Sequence, residues 1–217
     1  AMMAVVIRWC LLAILVGASP MLRAEGPVVL VVGDSLSAAY GIPASKGWVA
    51  LLQDRLAERG YPHQVVNASV SGETSAGGLA RLPSLLRQHD PRLVLIELGG
   101  NDGLRGQPPA RLQQNLQKMV DISRDAGARP MLFAMRIPPN YGRAYTEAFE
   151  GSFATVAADR GVPLVPFFLA AIAEQPDQFQ ADGIHPDVAA QPALLDAVWP
   201  HLEAELAPAA SEARGTP

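Results

Sequence analysis

Four short polar segments carry the side chains that could do chemistry: GDSLS at 33–37, NASVSGET at 67–74, GGND at 99–102 and DGIHP at 182–186. A serine hydroxyl is a weak nucleophile at neutral pH and needs a neighbouring base to take its proton. Ser35 is the candidate nucleophile and His185 the candidate base. Asp182 lies three residues before His185, close enough in the same loop to hold the other imidazole nitrogen. Singly, each has a plainer reading: Ser35 as a helix N-cap, 182–185 as an ordinary turn ahead of a helix. Neither a P-loop nor a dinucleotide fingerprint is present, and His63, His89 and His201 make no metal-ligand spacing. No metal and no cofactor is expected.

These segments need a frame that brings them together, and the apolar pattern supplies one. The run PVVLVV at 27–32 is almost wholly apolar and β-branched, as in a strand covered on both faces. Further strands are expected at 64–67, 93–98, 131–135 and 163–165. Helices are expected from a Ser45 cap to about Arg59, then over 74–88, 109–126, 143–160 and 192–206. Alternating strands and helices imply right-handed crossovers and a parallel sheet. The expected fold is therefore an α/β three-layer sandwich, flavodoxin-like, with five parallel strands. In such sheets ligands sit beyond the carboxyl ends of the strands, where strand order reverses. All four polar segments fall at or after strand ends.

Composition narrows the class. The 217 residues are 49% hydrophobic and 18% charged with a net charge of −4, too apolar for disorder and too acidic for a phosphate backbone as main partner. Arg8, an apolar run over 9–18 and the exit Leu22-Arg23-Ala24 follow the order of a secretory signal peptide. That run is about half of what a membrane span needs. The expectation is a signal over 1–24, with cleavage after Ala18 or a retained anchor as alternatives. A periplasmic or secreted domain over 25–207 and a polar tail over 208–217 would follow. The only cysteine, Cys10, lies in the signal, so the mature chain has neither disulfide nor thiolate chemistry.

The segments GDSLSAAYG, NASVSGETSAGGLARLP, ELGGNDGLRG, RIPPNYGRAY and DGIHP, in this order, resemble the SGNH or GDSL hydrolases. Within that family they are most similar to its bacterial periplasmic thioesterase, lysophospholipase and arylesterase group. The resemblance implies a serine acyl hydrolase with Ser35, His185 and Asp182 as triad. It also implies an oxyanion hole made of the Ser35 and Gly72 amides and the Asn101 side chain. Gly72 lacks a Cβ, so an oxygen can approach its amide. Asn101 follows two glycines, which should leave its NH2 free to project into the cleft. Partners would be small acyl esters or thioesters, with no nucleic acid and no span after signal cleavage. Oligomeric state is not fixed by the sequence, and a monomer is the default. A carbohydrate O-deacetylase on the same fold and a non-catalytic lipid carrier are the competing readings.

The remaining candidates concern support and substrate. Leu36, Leu104, Met135, Ile137, Pro138 and Tyr141, with Pro139, are placed to line an apolar acyl trench, or else to pack under loops. The stretch 103–106 has glycine at both ends and could move over a bound chain. Arg105 and Arg143 are read as head-group contacts or as solvated surface residues. Asp34 is expected to brace its turn, Asp102 to support the Asn101 loop, and Glu97 to be a hydrogen-bonded structural carboxylate.

Overall fold

The computed structural model describes residues 26–206. The expected signal over 1–24 and the expected tail over 208–217 lie outside the described residues, as does residue 207. Five strands form one parallel sheet in the order β2-β1-β3-β4-β5: β1 (Val28–Gly33), β2 (Gln64–Asn67), β3 (Leu93–Glu97), β4 (Arg129–Phe133) and β5 (Leu164–Val165). The chain moves outward from β1 to β2, then reverses past β1 to β3. With right-handed crossovers, that reversal puts the first helix on one face and the following ones on the other. Accordingly α1 (Trp48–Glu58) packs on α6 (Gln191–Leu206). On the opposite side α2 (Ser75–His89), α4 (Pro109–Asp125) and α5 (Arg143–Arg160) pack in succession. Among the described residues no helix is long and apolar enough to cross a membrane.

The central strands are the driest part. Val29 to Val32 and Val94 to Ile96 are wholly inaccessible, which explains their unbroken apolar runs. Trp48, Phe133 and Phe168 form a ring cluster on the α1/α6 side, with centroids 5.4–5.8 Å apart. Phe149 and Phe153 of α5 meet edge to face at 5.5 Å. Such aromatic pairs add about 0.5–1.5 kcal/mol beyond their buried area.

Several boundaries differ from expectation for physical reasons. Ser45 does not cap α1; it lies in a 3₁₀ turn, Ala44–Lys46. The first amide of α1 instead donates to the Gln191 Oε1 of α6 at 2.9 Å, a tertiary cap that no local pattern reveals. Thr74 does cap α2, accepting from the Gly77 amide. β4 begins two residues earlier than expected and takes in Pro130, whose missing N–H the sheet tolerates. A short helix, α3 (Gly100–Leu104), occupies what read as a glycine loop. It opens on Gly99, whose φ of +123° suits only glycine, and a Cβ there would sit 2.8 Å from the Phe153 ring. Gly99→Ala should therefore lower unfolding free energy by about 2–4 kcal/mol, read as a reduced urea midpoint at unchanged m-value.

Candidate active site

The sheet's reversal point carries the first part of the site. After β1 the chain turns tightly: the Ala38 amide donates to the Asp34 carbonyl and the Leu36 amide to Asp34 Oδ1. Ser35 stands on this turn. The chain beyond β2 stays alongside, because the Ala68 and Val70 amides donate to the carbonyls of Val31 and Gly33. Gly72, with φ +77°, follows two residues after Val70. Asn101 arrives on α3 after β3. Among the described residues neither the Ser35 nor the Gly72 amide has an internal hydrogen-bond partner, so both can donate to a ligand.

The second part comes from far along the chain. Residues 179–187 fold back through an isolated bridge between Phe179 and Pro186 and a bond from the Gln180 amide to the His185 carbonyl at 2.8 Å. Asp182 Oδ1 accepts from the Ile184 and His185 amides at 2.9 and 3.0 Å, with Gly183 at φ +67° making the turn. Asp182 Oδ2 lies 2.6 Å from His185 Nδ1, and His185 Nε2 lies 2.9 Å from Ser35 Oγ. The His185 amide, the His185 ring and the Ile184 amide hold the Asp182 carboxyl down at about 2. An ionised carboxylate only accepts, so Nδ1 carries the ring proton and Nε2 offers its lone pair to the Ser35 hydroxyl. The three residues expected to converge do converge, and the arrangement can deprotonate a serine.

Asn101 departs from expectation. Its Nδ2 is not free but donates to Asp34 Oδ2 at 3.1 Å, leaving one N–H for a ligand. Asp34 thus braces both its own turn and a candidate oxyanion donor. Asp102, buried, accepts from the Ser75 amide and hydroxyl at 2.8 and 2.5 Å, and Asn115 donates to the same hydroxyl. It ties the start of α2, and with it the Gly72 loop, to the helix carrying Asn101. Beneath lies Glu97, fully buried, whose Oε2 accepts from Ser37 Oγ at 2.5 Å and the Asp34 amide at 3.3 Å. Its Oε1 has no partner. Gly33 is opposite Glu97 in the sheet, and a Cβ there would meet Glu97 Oε2 at 2.6 Å and Ser37 at 2.8 Å. The glycine of GDS is a packing requirement of this carboxyl.

Burial, then the nearby Asp34 charge, pushes Glu97 well above its ordinary value, against the bonds from Ser37 and Asp34. Burial likewise raises Asp34 to about 6, opposed by the Leu36 amide, Asn101 and the His185 charge. Among the described residues no group of three or more histidine or acidic side chains is placed to hold a metal ion.

A cavity of about 310 Å³ opens beside Ser35, Asn101 and His185. Of the residues expected along an acyl trench, Leu36, Leu104, Met135 and Pro138 line it; Ile137, Pro139 and Tyr141 do not. Ile137 is buried against Gly103, and Tyr141 donates its hydroxyl to the Leu104 carbonyl. Gly103 is required by packing, since a Cβ would fall 2.6 Å from Ile137 and 2.7 Å from Phe149. Arg143 pairs with Glu147 in solvent, whereas Arg105 donates to the Gly72 carbonyl at 2.9 Å. The far wall comes from Phe167, Leu169, Phe179 and Ile184, which the sequence reading missed. For Phe167 and Leu169 the signal was the apolar stretch over 166–173, whereas Phe179 and Ile184 stand alone among polar or turn residues.

The chain is similar in sequence and structure to known proteins. Residues 31–192 match the model of the GDSL-like lipase/acylhydrolase family. The esterase TesA of Pseudomonas aeruginosa is 58% identical over 181 residues, 83% of this chain and 90% of that one. The thioesterase 1/protease 1/lysophospholipase L1 of Escherichia coli is 46% identical over 191 residues, 88% of this chain and 90% of that one. A crystal structure of the psychrotrophic esterase EstA from Pseudoalteromonas, inhibited by monoethylphosphonate, superposes with a TM-score of 0.80 at 44% identity, covering 82% of this chain and 98% of that one.

The buried acids give a pH-dependent stability. Both carboxyls are held above their ordinary values, so the stability this confers is fully present below the unfolded values near 4. It is lost as pH rises through the folded value, about 6 for Asp34. Unfolding free energy should fall by about 1–3 kcal/mol between pH 4 and 7 on this account. Glu97→Gln, which keeps an acceptor for Ser37, should flatten that fall; an unchanged urea-denaturation profile across pH would count against it.

Proposed function

The chain belongs to the GDSL-like lipase/acylhydrolase family and is an enzyme of the carboxylic ester and thioester hydrolase type, and on that premise we propose that it works through an acyl-enzyme on Ser35. The observation that carries this reading is the unbroken chain from Ser35 Oγ through His185 to Asp182. Ser35 Oγ attacks the acyl carbon while its proton passes to His185 Nε2, and Asp182 holds Nδ1–H and stabilises the imidazolium. The carbonyl oxygen, now negative, takes hydrogen bonds from the Ser35 and Gly72 amides and the second N–H of Asn101. As the tetrahedral adduct collapses, Nε2–H returns the proton to the departing alkoxide or thiolate. Water, deprotonated by the same nitrogen, then attacks the acyl-serine, and collapse of that adduct releases the acid and restores the hydroxyl.

An apolar wall of Leu36, Leu104, Met135, Phe167, Phe179 and Ile184 supports an acyl chain rather than a sugar as the bound group. Its volume lies at the small end for ligand pockets, which favours short and medium chains. Similar proteins are named esterase, arylesterase, thioesterase and lysophospholipase, which supports broad tolerance of the leaving group. We assign the catalytic domain to 25–207 and its location to the periplasm or exterior, on the N-terminal pattern of Arg8, apolar run and Ala24 exit.

Ser35→Ala should abolish p-nitrophenyl-ester turnover with an unchanged circular-dichroism spectrum; retained turnover excludes Ser35 as nucleophile. Asn101→Ala should lower kcat about 10²–10³-fold with a smaller effect on KM, and an unaltered kcat removes it from the oxyanion hole.

A further inference from the structure

Tyr40 is 52% exposed, yet its ring is packed on the His185 imidazole, centroids 4.5 Å apart and planes 40° from parallel. An exposed aromatic ring needs no explanation by itself. Here the backbone is built around it. Ala39, immediately before, has φ +57°, one of two non-glycine residues in the left-handed region among the described residues; the other, Asp90, ends α2, where that conformation is ordinary. Gly41, immediately after, has φ +75°, and the space its Cβ would fill is taken by Gln180 Oε1. The same Gln180 donates Nε2 to the Tyr40 carbonyl at 2.7 Å and its amide to the His185 carbonyl at 2.8 Å. One residue, through its side chain and its backbone amide, thus clamps the Tyr40 segment to the His185 segment.

We propose that Tyr40 is a positioning residue for the base, its ring face favouring the imidazolium that forms as Ser35 loses its proton. The proposal rests on the reading of His185 as that base. An aromatic face is electron-rich and attracts a cation over it, whereas a neutral imidazole gains only the contact. Positive charge appears on the ring when the proton moves from Ser35 Oγ to Nε2, so the interaction strengthens toward the transition state. The ring also covers one imidazole face, fixing its tilt toward Ser35. Besides Tyr40, the ionisable groups acting on the imidazole are Asp182, at 2.6 Å, and Asp34 from the β1 turn. Both are anionic at neutral pH, and neither depends on Tyr40 for its hydrogen bonds.

The test compares Tyr40→Phe, Tyr40→Trp, Tyr40→Leu and Tyr40→Met in the whole enzyme, with pH profiles for a p-nitrophenyl ester. The aromatic variants should keep kcat within about twofold. The aliphatic ones should lose about 3–10-fold in kcat with little change in KM. Their acid limb of kcat/KM should move to lower pH by about 0.4–0.7 unit. The Met variant repeats the comparison should the Leu variant fold poorly. An unmoved acid limb in both aliphatic variants, or a Phe variant as impaired as they are, overturns the proposal. His185→Ala is assayed alongside: its retained turnover would instead overturn the reading of His185 as base.

Discussion

The hydrogen bond between Ser35 Oγ and His185 Nε2, 2.9 Å long, joins two residues 150 positions apart, and the chemistry depends on it. Its partners are set by different means. Ser35 is held by the sheet, on a turn that begins where a fully buried strand stops. His185 is held by a nine-residue fold-back that is closed by the Gln180 amide and the bridge between Phe179 and Pro186, and that is tied to the Tyr40 segment through Gln180 Nε2. Asp182 is part of the same fold-back and is 39% exposed at its side chain. Its low protonation value is made by local backbone amides rather than by a buried setting. Orientation, not isolation from water, is what this carboxylate contributes.

Under Ser35 the logic is reversed. Glu97 and Asp34 are almost inaccessible, and burial outweighs their hydrogen bonds. A buried carboxyl of this kind is destabilising where it must ionise, so its retention calls for a local reason. The geometry supplies one: Glu97 fixes the Asp34 amide and Ser37, and Asp34 fixes the Leu36 amide and Asn101. Two acids thereby set the relative placement of the Ser35 turn and Asn101. Asp102 performs a matching task between α2 and α3.

Much of this was legible in the sequence, for an identifiable reason. Unbroken apolar runs ending in GDS and GGND show strands that stop at polar loops, and parallel topology places such loops together. Ser35, His185 and Asp182 could be grouped on that ground, whereas Gly72 and Asn101 are singled out by the resemblance to the GDSL hydrolases. What escaped depends on distance rather than order. The collision between a Cβ at Gly33 and Glu97 follows from a strand register that no local pattern encodes. Helix α3 forms despite two glycines because Gly99 needs a positive φ and Gly103 must fit between Ile137 and Phe149. Whether Ile137 or Phe167 faces the cavity depends on how an aperiodic connection is laid down, and aperiodic segments carry no face signal.

The local closure of residues 179–187 has a thermodynamic consequence. A segment held by a handful of exposed bonds can open at far lower free energy than the sheet it rests on. Its opening would remove His185 and Asp182 together, in one step, while leaving Ser35, Asn101 and the core in place. Heat inactivation of this enzyme should then be a reversible excursion of one strap well before the global melt, with amide exchange in that strap reporting the same equilibrium.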